Sequence, residues 1–297
     1  NVEGANTEDE IVDRFREVYS TLYNCADTKP GMEEIKARIK DMITPESANE
    51  ATKVTSAIVK IVVKSMKARK SDISGGFTSD ALLNAPDDMF EHLATIFRSW
   101  IVHGKISHNI LSCAFLPLLK SSLKDPADTG SYKAIAGSSL ILKIFEKTIL
   151  HLWGNLLSKD SLQFGYKAKS STTQASWLVH EVLGHYLRKG SHPLCALLDC
   201  SKAFDLAKWD KMFSLILERQ VPAIVARAMI YSYQEQYAWC RWGQARSEIF
   251  PIVNGTRQGS MASPFLWAVY CDPLLASLRA VGVGCHIAGM WMGAQLY

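Results

Sequence analysis

Residues 193–205 read PLCALLDCSKAFD, an apolar run that ends in the acidic residue Asp199. Apolar character without interruption is typical of a strand buried on both faces in the middle of a sheet. Because burying an unpaired carboxylate is costly, Asp199 is expected to have a cation partner, and hard Mg²⁺ prefers oxygen ligands. The alternative, in which Asp199 caps a following helix, fits the spacing equally well.

A second polar stretch, NGTRQGSMASP, occupies residues 254–264. Gly255 and Gly259 would let the backbone approach a ligand closely. Gln258 offers both a hydrogen-bond donor and an acceptor, and Arg257 offers a fork of donors suited to phosphate. The competing interpretation is the start of a helix that carries a solvated arginine and glutamine.

Two groups of lysines could meet phosphate. The first group would lie on adjacent strands of a hairpin and grip a triphosphate; it consists of Lys120 and Lys133. The second group would follow a nucleic-acid backbone from one helix and the loop after it; it consists of Lys60, Lys64, Lys67 and Lys70. Solvated lysines are the ordinary alternative for both groups.

The charge of the chain is unevenly distributed. The 297 residues carry a net charge of +4, but residues 1–50 contain 12 acidic and 6 basic residues, so residues 51–297 carry +10. A basic body indicates a polyanionic partner. Seven cysteines without a CxxC pair favour free thiols in a reducing, intracellular compartment, nuclear or cytoplasmic, and argue against zinc. No run of 18 apolar residues predicts a membrane span, and nothing indicates a protein partner.

Hydrophobic periodicity predicts an α+β protein in which helices come first and strands and helices then alternate. One helix, at 87–102, would turn Phe90, Leu93, Ile96 and Phe97 inward. The other predicted helices lie at 8–24, 31–70 in two pieces (the second, at 52–68, ending in the basic run), 137–157, 172–188, 206–219, 222–236 and 263–282. The predicted strands form hairpins at 112–137, 237–255 and 285–297, and PLCALLDC forms a buried central strand.

Several of these segments resemble, in order, the reverse transcriptase domain of non-LTR (LINE-type) retrotransposons. The matching segments are KSDISGGF, FLPLLK, SYKAIAGSSLILKIFEKTI, QFGYKAKSSTTQA, LLDCSKAFD and GTRQGSMASPFLWAVYCDPLL. The resemblance runs from about residue 60 to the end. It implies the fingers and an incomplete palm of a right-hand polymerase, preceded by a helical N-terminal region.

The resemblance also implies an activity, an RNA-directed DNA polymerase that uses two Mg²⁺ ions, an RNA template, a DNA primer and deoxynucleoside triphosphates. Asp199 would bind both ions and Cys200 would lend its backbone carbonyl. Phe204 would be the steric gate against a ribose 2′-hydroxyl, while Asp205 would cap the next helix. The remaining nucleotide contacts would come from Lys120, Lys133, Arg257, Gln258 and Gly259.

The chain departs from the family pattern at three positions. Lys133 stands where arginine is usual, which keeps the charge but loses bidentate geometry. Ala134 stands where proline is usual, and a glycine replaces the usual aspartate in KSDISGGF.

The matched segments divide the chain into an acidic helical connector at 1–59, a basic helix, loop and helix at 60–110, fingers at 111–190 and a partial palm at 191–297. The reverse transcriptase domain would start near 100–111. Tyr297 would be the first residue of the family's Y/F-A-D-D tetrad, so we expect this chain alone to be inactive. The alternatives are a non-catalytic, nucleic-acid-binding remnant of such an element and an unrelated globular protein with chance matches.

Overall fold

The computed structural model describes residues 1–281 except residues 74, 158–160, 166, 168 and 201. Within these residues the chain is a mixture of helices and one mixed sheet, which confirms the predicted α+β class. The predicted hairpin at 285–297 and Tyr297 lie outside the described residues.

Helices dominate the first third of the chain. They are α1 (Glu8–Leu22), α2 (Lys29–Met42), α3 (Asn49–Thr52), α4 (Ser56–Lys64), α5 (Ser79–Leu83) and α6 (Asp87–His103). The Thr7 side chain accepts a hydrogen bond from the Glu10 backbone N–H, and the Glu10 side chain accepts one from the Thr7 backbone N–H. These two residues thus form the capping box that starts α1. The periodicity of this segment predicts an apolar face of Ile11, Val12, Phe15, Val18, Tyr19 and Leu22. Of these, Ile11, Val12, Phe15 and Tyr19 are buried, and Val18 and Leu22 are partly buried against the same core.

The sheet combines two hairpins that are far apart in sequence. Its strands are β1 (Ser112–Leu119), β2 (Tyr132–Ser138), β3 (Tyr237–Trp242), β4 (Ala245–Arg246) and β5 (Phe250–Pro251). Strand β1 pairs antiparallel with β2 and parallel with β3, while β4 and β5 pair antiparallel with β3. Both hairpins predicted from alternation are confirmed, and their parallel pairing joins residues over 100 positions apart.

The later helices pack around this sheet and against the N-terminal helices. They are α7 (Leu140–Trp153), α8 (Thr172–Arg188), α9 (Trp209–Glu218), α10 (Ala223–Gln234) and α11 (Ser263–Ala280). Ser171 and Gln174 form the capping box of α8. None of the helices among the described residues has the length and hydrophobicity needed to cross a bilayer.

An aromatic cluster holds α1 and the residues after it against one face of the sheet. The Phe15 ring stacks on Trp242 at 5.3 Å between centroids, and the Tyr23 ring stacks on Phe115 at 4.7 Å. Such pairs contribute about 0.5–1.5 kcal/mol each beyond the area they bury. The N-terminal region therefore shares one continuous hydrophobic core with the sheet.

Residues 191–200 differ most from the expectation. The predicted strand PLCALLDC has no regular secondary structure, and Leu194 and Leu197 are 100% and 91% exposed. A strand that is apolar on both faces needs neighbouring strands and covering layers. In the described part of the chain no strand pairs with these residues, so the prediction of a buried central strand is wrong for this structure.

Two smaller corrections concern helices. Ile96 is 42% exposed, and α6 instead turns Ala94, Trp100 and Ile101 inward beside the three correctly predicted residues. The helix predicted at 52–68 begins at Ser56, where the Thr55 side chain caps it, and ends at Lys64.

Candidate nucleotide-binding site

The two polar motifs of the sequence meet in the fold. The backbone N–H of Gly255 donates to the Ala207 carbonyl at 2.7 Å, and that of Thr256 donates to the Phe204 carbonyl at 2.6 Å. The Asn254 side chain adds a hydrogen bond to the Asp205 carbonyl at 2.8 Å. The loop at 254–260 is thus tied to the segment that follows Asp199, about 50 residues earlier in the chain.

Gly255 and Gly259 make these close approaches possible. Gly255 has a φ of 83°, and a Cβ atom there would lie 2.5 Å from the Asp205 carbonyl oxygen. Gly259 has a φ of 124°, and a Cβ atom there would lie 2.5 Å from the Ala136 carbonyl oxygen on β2. Both backbone conformations favour glycine.

Asp205 lies at the centre of the contact and is buried. Its carboxylate accepts a hydrogen bond from the Tyr23 hydroxyl and another, at 2.9 Å, from the Gln258 side-chain nitrogen. Burial raises the pKa of the Asp205 carboxyl, although these hydrogen bonds and the charges of Lys202 and Lys120 offset part of the effect. The expected helix cap is wrong, because Lys208 occupies the N-cap of α9.

Gln258 is held from two sides. Its backbone carbonyl accepts from the Ala136 N–H of β2 at 2.8 Å, while its side-chain nitrogen donates to Asp205. With the nitrogen engaged in this way, the amide oxygen is the group left to accept a hydrogen bond from a ligand.

Arg257 lies in the core, against the expectation of a phosphate contact. Its side chain is 2% exposed and forms an ion pair with Glu146 of α7 at 3.0 Å. The guanidinium carbon also lies 4.6 Å from the centre of the Tyr233 ring. The other carboxylate oxygen of Glu146 accepts from the Ser260 hydroxyl at 2.8 Å and the Met261 N–H at 2.9 Å. Arg257 therefore anchors the loop to α7, and a triphosphate could reach it only by displacing Glu146, which would leave that buried carboxylate without its cation.

The exposed, irregular segment at 191–200 contains Asp199 and Cys200, and Phe204 follows shortly after it. Asp199 and Cys200 are exposed and outside regular structure. The half-buried Phe204 ring lies 5.6 Å from the Trp267 ring of α11. Among the described residues no three acidic, histidine or cysteine side chains cluster as metal ligands would. A lone exposed carboxylate does not by itself fit a pair of Mg²⁺ ions, which need several oxygen ligands in fixed geometry.

The two lysines of the β1–β2 hairpin lie at its tip, in the case of Lys120, and on β2, in the case of Lys133. Lys120 follows β1 directly, is exposed, and its ammonium donates to the Gly130 carbonyl at 2.7 Å. Lys133 is half-buried and pairs in register with Leu118. The structure thus places both cations on the hairpin.

The basic run at 60–70 splits into two parts. Lys60 pairs with Asp87 at 2.8 Å, and the Lys64 ammonium donates to the Leu83 carbonyl, so both join α4 to its neighbours. Lys67 and Lys70 are exposed. The loop after them has a structural contact that the sequence did not suggest, since buried Asp72 accepts the Leu140 N–H at 2.7 Å at the start of α7.

Sequence reasoning missed Tyr23 and Glu146 entirely. Tyr23 reaches Asp205 across 182 positions, and Glu146 reaches Arg257 across 111. In sequence both occupy amphipathic helical stretches, and nothing local distinguishes them from ordinary helix residues.

Comparison with known proteins supports the family that the motifs suggest. Residues 120–288, more than half of the chain, match the family described as reverse transcriptase (RNA-dependent DNA polymerase). Over 239 residues the chain is 26% identical to the "RNA-directed DNA polymerase from mobile element jockey" of Drosophila melanogaster, covering 78% of this chain and 25% of that protein.

A second relative is the "Putative 115 kDa protein in type-1 retrotransposable element R1DM" of the same organism. The two are 25% identical over 190 residues, which is 64% of this chain and 18% of the relative. The chain thus spans a quarter or less of the length of these relatives. With more than half of its residues matched, and with jockey and R1 among its relatives, the chain belongs to the reverse transcriptase family and is related to the non-LTR, LINE-type elements.

Proposed function

We propose that the chain supplies part of an RNA-directed DNA polymerase of a retrotransposon, which copies RNA into DNA by nucleotidyl transfer. The observation that carries the proposal is the docking of the loop at 254–260 onto both Phe204–Asp205 and β2. This docking gathers, beside the lysine-bearing hairpin, the residue types that would hold a nucleotide. The jockey relative carries this activity in its name.

The proposed roles follow from position. Gln258 would offer its amide oxygen, and Gly259 its exposed backbone, to the incoming nucleotide. Phe204 would lie against the sugar as the steric gate. Lys120 and Lys133 would meet the triphosphate, while Lys67 and Lys70 would contact the nucleic-acid backbone. Lys60 and Lys64 would join them once the nucleic acid replaces their contacts with Asp87 and the Leu83 carbonyl. Arg257 supports the loop instead of contacting the ligand.

Enzymes of this family generally use divalent metal ions. We propose Mg²⁺, with Asp199 and the Cys200 carbonyl among its ligands. The described residues do not assemble a complete set of ligands for these ions.

Primer extension tests the activity. It is measured with residues 1–297 and with a chimera that joins them to the part of the jockey polymerase that follows the matched region. We expect synthesis from the chimera on an RNA template and none from residues 1–297, whose sequence holds only Asp199 of the expected metal-binding carboxylates. Asp199→Asn should abolish synthesis by the chimera, whereas Asp27→Asn, a change at another acidic residue outside the proposed site, should not. Templated synthesis that survives Asp199→Asn would refute the assigned role.

A second candidate function is nucleic-acid binding without catalysis. The exposure of Asp199, without clustered acidic residues beside it in the described part of the chain, favours this alternative. Salt-sensitive RNA binding by a chimera that never extends a primer would support it.

A further inference from the structure

An open groove of about 370 Å³ lies on the sheet face opposite α1. Since successive side chains of a strand alternate between faces, Trp242 turns toward α1 while Tyr237, Trp239 and Arg241 form a row on the other face. Arg246 of β4 joins this row, and Asn109 and Gln244 complete the polar rim. The volume is near the lower end of the range for ligand pockets, about 300–1,000 Å³.

Two like charges face each other in the groove. Arg241 and Arg246 are direct partners in the antiparallel register of β3 and β4. Like charges at directly opposed positions destabilise a strand pair. None of the described residues that line the groove is acidic, and neither arginine has an ion pair in the described part of the chain. The nearby carboxylate of Glu8 accepts from the Gln244 N–H at 2.9 Å. An anion between the two guanidinium groups would relieve their repulsion.

Both guanidinium groups are already held in place. The Arg246 guanidinium carbon lies 3.9 Å from the centre of the Trp239 ring, and the Trp239 indole N–H donates to the Ser112 hydroxyl at 3.1 Å. Arg241 donates from its Nε to the Gly243 carbonyl at 3.2 Å, which leaves its terminal nitrogens free to donate elsewhere. Trp239 is only 7% exposed, so it serves as a support for Arg246.

We propose that this groove binds an unpaired nucleotide of a single-stranded RNA. The phosphate lies between Arg241 and Arg246, and the base stacks on the outer face of the Arg246 guanidinium. The Asn109 and Gln244 amides then reach the edge of the base. Guanidinium planes stack on bases that are splayed out of a helix, which is why an unpaired strand fits the groove and a duplex does not. The choice of RNA rests on the proposed function, whereas the anion site itself does not.

Binding of a fluorescein-labelled 12-nucleotide RNA to residues 1–297, followed by anisotropy, tests the proposal. The double variant Arg241→Ala/Arg246→Ala is compared with Arg14→Ala/Arg38→Ala, which removes the same charge from exposed positions of α1 and α2. We expect at least a tenfold loss of affinity for the groove variant and less than about threefold for the control. Losing one phosphate contact should make the slope of log K against log[salt] shallower by about 0.7.

Further arms separate the possible ligands. Duplex RNA should bind more weakly than the single strand, and pyrophosphate should compete only poorly. Cross-linking of a 5-iodouridine RNA should label the peptide that contains Tyr237 and Trp239. Arg241→Lys/Arg246→Lys should recover the salt slope but not the full affinity, because lysine keeps the charge and loses the stacking plane.

Four results would overturn the proposal: equal affinities of the groove and control variants, no binding by the unmodified chain, stronger binding of duplex than of single-stranded RNA, or full competition by pyrophosphate. Circular dichroism of each variant shows whether it is folded. If the groove variant does not fold, the cross-link on the unmodified chain decides, and label confined to other peptides refutes the groove. Primer extension by the chimera judges the polymerase separately, since the groove can fail while synthesis persists.

Discussion

Replacing Glu146 by glutamine tests the buried ion pair that anchors the loop at 254–260. The substitution keeps the size of the side chain but removes its charge. Arg257, 2% exposed, would be left as a buried cation without a charged partner. The Ser260 hydroxyl and the Met261 N–H would also have to share an amide in place of a carboxylate.

Removing one partner of a buried pair typically costs about 3–5 kcal/mol. Because glutamine still offers one acceptor oxygen, we expect the low end, about 3 kcal/mol. That is a large part of a typical folding stability of about 5–15 kcal/mol. The matched control is Asp87→Asn, which breaks the exposed pair with Lys60 and should cost less than about 1 kcal/mol.

Urea unfolding, monitored by circular dichroism, measures both losses of stability, and a double variant isolates the cause. Because Arg257→Met removes the buried charge that Glu146→Gln leaves without a partner, Glu146→Gln/Arg257→Met should be more stable than Glu146→Gln alone. A loss below about 1 kcal/mol for Glu146→Gln, or a double variant no more stable than that single variant, would show that an unpaired Arg257 charge is not what matters.

Two further predictions concern the same loop. Gly259→Ala should destabilise the fold by about 1–3 kcal/mol, because alanine must adopt a φ of 124° with its Cβ 2.5 Å from the Ala136 carbonyl oxygen; an unchanged urea midpoint would contradict this contact. Burial raises the pKa of the Asp205 carboxyl, so protonation of this group favours the folded state. Its contribution to stability is complete below the usual pKa of about 3.9 and is lost as the pH rises through the raised value. The stability of Asp205→Asn relative to the unmodified chain should therefore increase across that window, and unfolding curves at several pH values showing a constant or falling difference would contradict the sign.

Local patterns predicted the elements well where one residue's environment depends on its near neighbours. The stripe on α1 and the limits of α8 follow from periodicity and capping, and these are properties of a single helix. Ile96 shows where this reasoning stops. It lies at the edge of the apolar stripe of α6, and which edge of a stripe is covered depends on the helices packed beside it.

The parts of the proposed nucleotide site were predicted from the sequence, but their arrangement was not. The motif predicted nucleotide contacts for Gln258 and Gly259, and it also predicted a phosphate contact for Arg257. Whether an arginine faces a ligand or an internal carboxylate depends on what lies opposite, and here that is Glu146 from another helix. The role of Asp199 as a metal ligand stays a prediction, and its predicted strand is not formed in the described fold.

The sequence by itself determined the family and the order of the motifs, because these depend on residue types and spacings along one chain. Only the tertiary structure decided which motifs touch. It placed Tyr23 on Asp205, buried Arg257 on Glu146, and set Arg241 opposite Arg246 across a strand pair. The physical reason is that such contacts join positions that are distant in the chain or on separate strands, so they are set by how helices and strands pack and in what register.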